Sequence, residues 1–345
     1  MKKLSFYFIS LFIASSLLFV SCKQNKTATD KDATAVEKVA VNEFEVLATY
    51  LEANGDFINS KSVPAMINTK EVFENMDNEK YKIIDLRKPE DFAAGHVKNA
   101  VNVPSKDMIN YFENNMSPEF YEKIAMVCYS GQSASYTTGI MRLLGYNNVY
   151  AMKYGMSSWN KDLAKNIWTK NISNDFVDQL ESTPNNKPAK GDYPSLKTGK
   201  TDAKEILKVR AQIALNTPYK SLLVKAPELF GNPTNYYTVN YWPEAKYNLG
   251  HVPGAVQYTP KKSLGTTTEL GTLPIDKEVV TYCFTGQHAA FVTAYLQLLG
   301  YDAKALAYGA NSFMNTEMKN KEEDWHAFTP KKIAGYDVVV EELVE

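Results

Sequence analysis

Two cysteines in this chain stand in the same local setting. Each follows an apolar run and opens a short glycine-containing loop: Cys128-Tyr129-Ser130-Gly131-Gln132-Ser133 in one place, Cys283-Phe284-Thr285-Gly286-Gln287-His288 in the other. The run before each reads as a strand and the segment after each as a helix. Ligands of open α/β sheets bind beyond the carboxyl ends of strands. Successive backbone N–H groups in such a loop form a nest for an anion, and the following helix adds its positive N-terminal end. A cysteine placed there is expected to have a lowered pKa and to stand substantially as thiolate. That suits a nucleophile that carries a charged group. For a lone cysteine, a small buried side chain that fills space is the simpler account; the same arrangement twice shifts the balance toward chemistry.

The elements that hold these loops repeat as well. Gly95-His96-Val97 recurs 155 positions later as Gly250-His251-Val252, and Cys128 recurs at the same offset as Cys283. Gly131-Gln132 matches Gly286-Gln287, Ala134 matches Ala289, and Leu143-Leu144-Gly145-Tyr146 matches Leu298-Leu299-Gly300-Tyr301. A period of that length is too long for a solenoid and describes a duplicated domain. In copy one, strands are expected at 82–86, 100–103, 123–127 and 148–152, with a short helix from Pro89 to Ala94 and a longer one from Ala134 to Leu144 that stops at Gly145. Copy two repeats the strand at 279–282, the helix at 289–299 and the strand at 303–306. Alternating strands and helices imply an α/β fold: two domains, each a parallel sheet flanked by helices and joined by a polar linker.

These residues resemble the rhodanese (sulfurtransferase) superfamily. Copy one matches through Asp85-Leu86-Arg87, Glu90-Asp91-Phe92, Gly95-His96-Val97, Ala100, Asn102-Val103-Pro104, the Cys128 loop and Tyr154-Gly155-Met156-Ser157-Ser158-Trp159. Copy two matches through Gly250-His251-Val252-Pro253-Gly254-Ala255, the Cys283 loop and Tyr308-Gly309; Asn240-Tyr241-Trp242 replaces the Asp-x-Arg element. The resemblance implies that Cys128 and Cys283 accept a sulfane sulfur as a persulfide and pass it to a thiophilic acceptor. It implies that Tyr129, Ser130, Gly131, Gln132, Ser133, Phe284, Thr285, Gly286, Gln287 and His288 form the anion-holding loops. The expected partners are a small sulfur-containing donor and a thiol, sulfite or cyanide acceptor, with no cofactor and no metal. Many family members carry an Arg in the loop. Here Ser133 and His288 take that place, so neither loop brings a permanent cation to a dianionic donor such as thiosulfate; an unperturbed histidine titrates near about 6.5.

Asp85 and Arg87 are expected to pair and brace the first loop. His96 and His251 read as hydrogen-bonded structural histidines rather than bases, Tyr129 and Phe284 as pocket walls, and His326 as solvated. The run from Tyr236 to Trp242 reads as a strand with a buried face. A phosphatase of related fold needs an Arg six residues after its cysteine to clamp phosphate; Ala134 and Ala289 stand there, which rejects that reading. Two rivals remain: a non-enzymatic, lipid-tethered sulfane-sulfur carrier, sensor or binding module, and, less favoured, a Cys128–Cys283 redox pair.

The whole chain has 345 residues, 38 basic and 39 acidic, with 44% hydrophobic and 22% charged residues. That suits about two globular domains and lacks the basic stripe of a nucleic-acid binder. Three cysteines and four histidines exclude a disulfide scaffold and leave little for a zinc site. Lys2, Lys3 and an apolar run to Val20, followed by Ser21-Cys22, lay out a signal peptide. This segment resembles a bacterial lipoprotein signal in which Cys22 becomes the lipidated N-terminus; the alternative is an uncleaved anchor helix. The expected organisation is a signal peptide over 1–21, a flexible stalk over 22–43, domains over 44–165 and 204–330, a linker over 166–203 and a tail over 331–345. The expected location is a membrane-anchored lipoprotein on the periplasmic or cell-surface side.

Overall fold

The computed structural model describes residues 41–321 and 323–341. The expected signal peptide, Cys22 and nearly all of the stalk lie outside the described residues. The first described helix, α1 (Glu43–Ala53), is capped by Asn42, whose side chain accepts from the Glu45 N–H.

Each copy forms its own five-stranded sheet, and every strand pair in both is parallel. The first sheet contains β1 (Met66–Ile67), β2 (Tyr81–Asp85), β3 (Val101–Asn102), β4 (Lys123–Val127) and β5 (Val149–Met152), in the order β1-β5-β4-β2-β3. The second contains β6 (Leu223–Val224), β7 (Tyr237–Asn240), β8 (Val256–Gln257), β9 (Val279–Tyr282) and β10 (Ala303–Leu306), in the equivalent order β6-β10-β9-β7-β8. Central strands of parallel sheets are covered on both faces and so carry continuous apolar runs. Accordingly Ile124, Ala125, Met126 and Val127 of β4 are all buried, as are all four residues of β9. The Tyr-rich run forms β7 and continues into buried Asn240, Tyr241 and Trp242, as its composition suggested.

Helix α2 (Gln132–Leu143) follows the first cysteine loop, and α4 (Gln287–Leu298) follows the second. Between them in sequence lies α3 (Ala203–Asn216), capped by the Asp202 carboxylate on the Lys204 and Glu205 N–H groups. The two domains meet along α2 and α4. A Cβ on Gly139 would stand 3.2 Å from Ala294 Cβ and 3.2 Å from the Phe291 ring, so the absent side chain sets how closely these helices approach.

The segments expected as a polar linker and as a tail are straps. Glu181, after domain one, makes an antiparallel bridge with His251 of domain two, with N–O distances of 3.0 and 2.9 Å. Val339, after domain two, makes the same bridge with His96 of domain one, both distances 2.9 Å. The tail continues the contact: Ala334 donates to Ser158 O, Tyr336 to Trp159 O and Glu341 to Ala93 O, while Trp159 Nε1 donates to Asp337 O. Each domain is thus laced by the segment that follows the other.

Candidate active site

Cys128 directly follows β4, where the chain leaves the carboxyl edge of the first sheet. Its Sγ accepts the N–H of Gly131 at 3.1 Å and of Ala134 at 3.3 Å, one from the loop and one from the first turn of α2. Gly131 takes φ 82° to turn the chain into the helix. Cys283 occupies the equivalent position after β9, and its Sγ accepts the Ala289 N–H at 3.3 Å. Both cysteines are free and nearly sealed, at 3% and 4% exposure.

The copies differ in electrostatics. Burial pushes the Cys283 thiol up, against the amides of Ala289, Thr285, Gly286 and His288, which pull it down. The expectation of a depressed thiol at both positions therefore fails in copy two, because desolvation outweighs the nest. The two loops are buried alike except at one position: Thr285 is buried where its counterpart Ser130 is partly exposed.

Asp85 and Arg87 pair as expected. Arg87 Nε donates to Asp85 Oδ1 and Oδ2 at 3.0 Å each, and Nη2 reaches Oδ2 at 2.7 Å and Gly95 O at 2.6 Å. The guanidinium lies 5.1 Å from the Tyr129 ring centroid, so the ion pair buttresses the wall beside the cysteine. In copy two an aromatic stack replaces it: Trp242 packs on Phe284 at 4.7 Å, nearly parallel, and Asn240 Nδ2 donates to Tyr282 Oη at 2.7 Å. Tyr129 and Phe284, next to the cysteines, are each packed against these groups.

The structure separates His96 and His251 from the loops. His96 Nδ1 bonds Phe92 O at 2.9 Å and its ring stacks on Phe92; His251 Nδ1 bonds Tyr247 O at 2.9 Å and stacks on Tyr247. Both brace the straps. His288 is neutral rather than an occasional cation: enclosure, then Lys261 and His326, pushes it down to about 3. His326 is not the solvated side chain expected from its isolation in sequence. It is half-buried, lies edge-on to Phe284, and is held down to about 4 by burial and by Lys153 and Lys332.

Contacts between the copies were not legible from motif spacing. Gln132 Oε1 accepts the Tyr308 N–H at 2.8 Å, and Gln287 Oε1 accepts the Tyr154 N–H at 2.8 Å. The repeat marks both glutamines but says nothing of their reaching across. A Cβ on Gly131 would stand 2.5 Å from Gln287 Oε1, and one on Gly286 2.5 Å from Gln132 Oε1, so the loops abut. Trp168 closes this junction. Its Nε1 donates to Ser130 O at 3.0 Å, and its ring meets Tyr154, Tyr308 and Phe328 at 5.2, 5.0 and 4.8 Å. Tyr219 is partly exposed, but its hydroxyl is buried at the junction with no hydrogen-bond partner among the described residues; burial, then Cys128, holds it well above the phenol range.

This chain is similar to several known proteins. A thiosulfate sulfurtransferase GlpE from Pseudoalteromonas translucida is 26% identical over 101 residues, which span 29% of this chain and 93% of that protein. A rhodanese-related protein from Thermoplasma volcanium aligns with 27% of this chain and 88% of its own, at 23% identity and a TM-score of 0.24. The crystal structure of a thiosulfate sulfurtransferase from Pseudomonas aeruginosa aligns with 77% of this chain and 46% of its own, at 15% identity and a TM-score of 0.30. The rhodanese-like domain model matches residues 68–162 and 239–316, together half of the sequence. With two such matches on two equivalent parallel sheets, the chain belongs to the rhodanese-like domain family, in tandem form.

Proposed function

We propose that this protein is an extracytoplasmic sulfurtransferase that moves sulfane sulfur through a cysteine persulfide, with Cys128 as the principal carrier. The observation that carries this reading is the pair of N–H groups, from Gly131 and Ala134, aimed at Cys128 Sγ. The thiolate attacks the outer sulfur of the donor. An S–S bond forms at cysteine, the donor's own bond to that sulfur breaks, and its electron pair leaves with the donor remnant; from thiosulfate this is sulfite. The terminal sulfur keeps the negative charge, which the loop amides and the α2 N-terminus stabilise. A thiol, sulfite or cyanide then attacks that terminal sulfur and the cysteine thiolate departs. Asp85 and Arg87 hold the wall beside this exchange without touching the reacting atoms. The extracytoplasmic, membrane-tethered location rests on Lys2, Lys3, the apolar run to Val20 and Cys22.

Near-complete enclosure of both sulfurs favours a second reading, a tethered sulfane-sulfur carrier or sensor that holds a persulfide without rapid turnover. Peptide mass spectrometry after exposure to a sulfane donor tests both. One added sulfur on Cys128, appearing before any on Cys283, is expected, with turnover to an acceptor that Cys128→Ser abolishes. An adduct without turnover selects the carrier; no adduct on either cysteine overturns both readings.

A further inference from the structure

Arg142 is a buried cation that the sulfur chemistry does not use. It stands in the last turn of α2, about 15 Å along the helix from the cysteine loop at 1.5 Å per residue. It is 7% exposed, and its Nε donates to Val149 O at 2.8 Å. The guanidinium lies 4.6 Å from the Tyr150 ring and 5.8 Å from the Phe57 ring. Buried charges are normally paired. Yet among the described residues no carboxylate lies within ion-pair distance of Arg142; the group that favours its charge is the Tyr150 side chain.

The second copy shows that the backbone bond needs no charge. Gln297 holds the equivalent place on α4, and its Nε2 donates to Ala303 O at 2.7 Å, the counterpart of Val149 O. The positive charge in copy one is therefore surplus to the fold. It faces a cavity of about 780 Å³ between α1, the 57–66 segment and the end of α2. Lys61 adds a second cation to the lining, Tyr50, Phe57 and Tyr150 supply aromatic walls, and among the described residues no aspartate or glutamate takes part. A neighbouring cleft that shares Gly145, Asn147 and Tyr150 carries Glu113, Glu119 and Glu122. Those carboxylates disfavour a polyanion and admit a single charge at the Arg142 end.

We propose that this cavity is a binding site for a small organic monoanion, an aromatic or apolar carboxylate whose oxygens meet Arg142 and whose body rests on Tyr50, Phe57 and Tyr150. The site is separate from the cysteine loops and independent of sulfur transfer.

Calorimetric titration of benzoate, with benzamide as its neutral isostere, tests the assignment in the full-length protein. Saturable benzoate binding with no benzamide binding is expected. Arg142→Gln, which restores the arrangement of copy two, should weaken benzoate by about tenfold or more, the scale of one charge-assisted hydrogen bond. Lys61→Ala, at an exposed position, should weaken it severalfold and cannot do so by unfolding the core. Persulfide formation on Cys128 should be unchanged in both variants, so failure here is distinct from failure of the sulfurtransferase reading. Absence of saturable benzoate binding, equal binding of benzamide, or wild-type affinity in Arg142→Gln would overturn the proposal. If Arg142→Gln loses its native circular dichroism, Lys61→Ala decides: unchanged affinity there overturns it.

Discussion

The side-chain oxygen of Gln287 accepts the backbone N–H of Tyr154 at 2.8 Å, across the boundary between the two domains, and Gln132 returns the same bond to Tyr308. Each glutamine directly follows the glycine of its own cysteine loop, so the residue that begins the helix also ties that loop to the other copy. The geometry of each sulfur site is set in part by its twin.

Removing either glutamine oxygen leaves a buried N–H without a partner, at a cost of about 1–3 kcal/mol. Gln132→Ala and Gln287→Ala should each lower the urea midpoint accordingly, without altering the slope of the transition. The double variant should lose at least the sum of the two. A single variant as stable as the wild type would mean that water replaces the bond.

Donor preference follows from charge. His288 is neutral, Ser133 is uncharged, and Arg87 is already neutralised by Asp85. Thiosulfate brings two negative charges, and the loops offer it amide dipoles alone. A charge-assisted bond from a loop Arg is worth about 1.5–3 kcal/mol, hence about tenfold to hundredfold in rate. Polysulfide or a low-molecular-weight persulfide should therefore have the higher kcat/KM. Ser133→Arg should raise kcat/KM for thiosulfate by that factor and leave the persulfide donor almost unchanged. A wild type that prefers thiosulfate, together with a silent Ser133→Arg, would refute the electrostatic argument.

Acid stability follows from two partly buried histidines. His288 is held down to about 3 and His326 to about 4, both below the ordinary 6.5. The unfolded chain binds these protons first, so both contribute full stability above about pH 6.5 and lose it as the pH falls toward their folded values. Unfolding free energy measured from pH 7 to 4 should fall with acid, and His288→Gln should flatten that slope. A slope identical to the wild type would place the acid sensitivity elsewhere.

Membrane attachment is expected to depend on one thiol. Cys22→Ala should abolish fatty-acid labelling and partitioning into the detergent phase. Unchanged partitioning would indicate an uncleaved anchor helix instead.

Part of this architecture was legible in the sequence and part was not. The central strands Lys123–Val127 and Val279–Tyr282 fall where their apolar runs put them, because two-sided burial leaves an unbroken hydrophobic signature. The cysteine corners were readable because the loop sequence recurs, and the Asp85–Arg87 pair because its opposite charges stand two residues apart. Edge strands Met66–Ile67 and Leu223–Val224 are two residues long and too short to show a period. The straps at Glu181 and Val339 bind through backbone groups, which every residue possesses, so composition marked the first only as polar linker and did not mark the second at all. His288 looked titratable because its burial is created by segments of its own domain that are far away in sequence, among them those of Tyr241 and Lys261. The same distance hid the partners of Gln132 and Gln287.

The reciprocal lacing also sets the order in which the molecule is finished. Domain one is synthesised first, but its seat for residues 334–341 stays empty until domain two has been made, since Ala334, Tyr336, Val339 and Glu341 close it. Domains fold as units from the N-terminus during synthesis, so here the leading half waits, incomplete, on the trailing end. Premature truncation near the C-terminus would therefore wound the N-terminal half first.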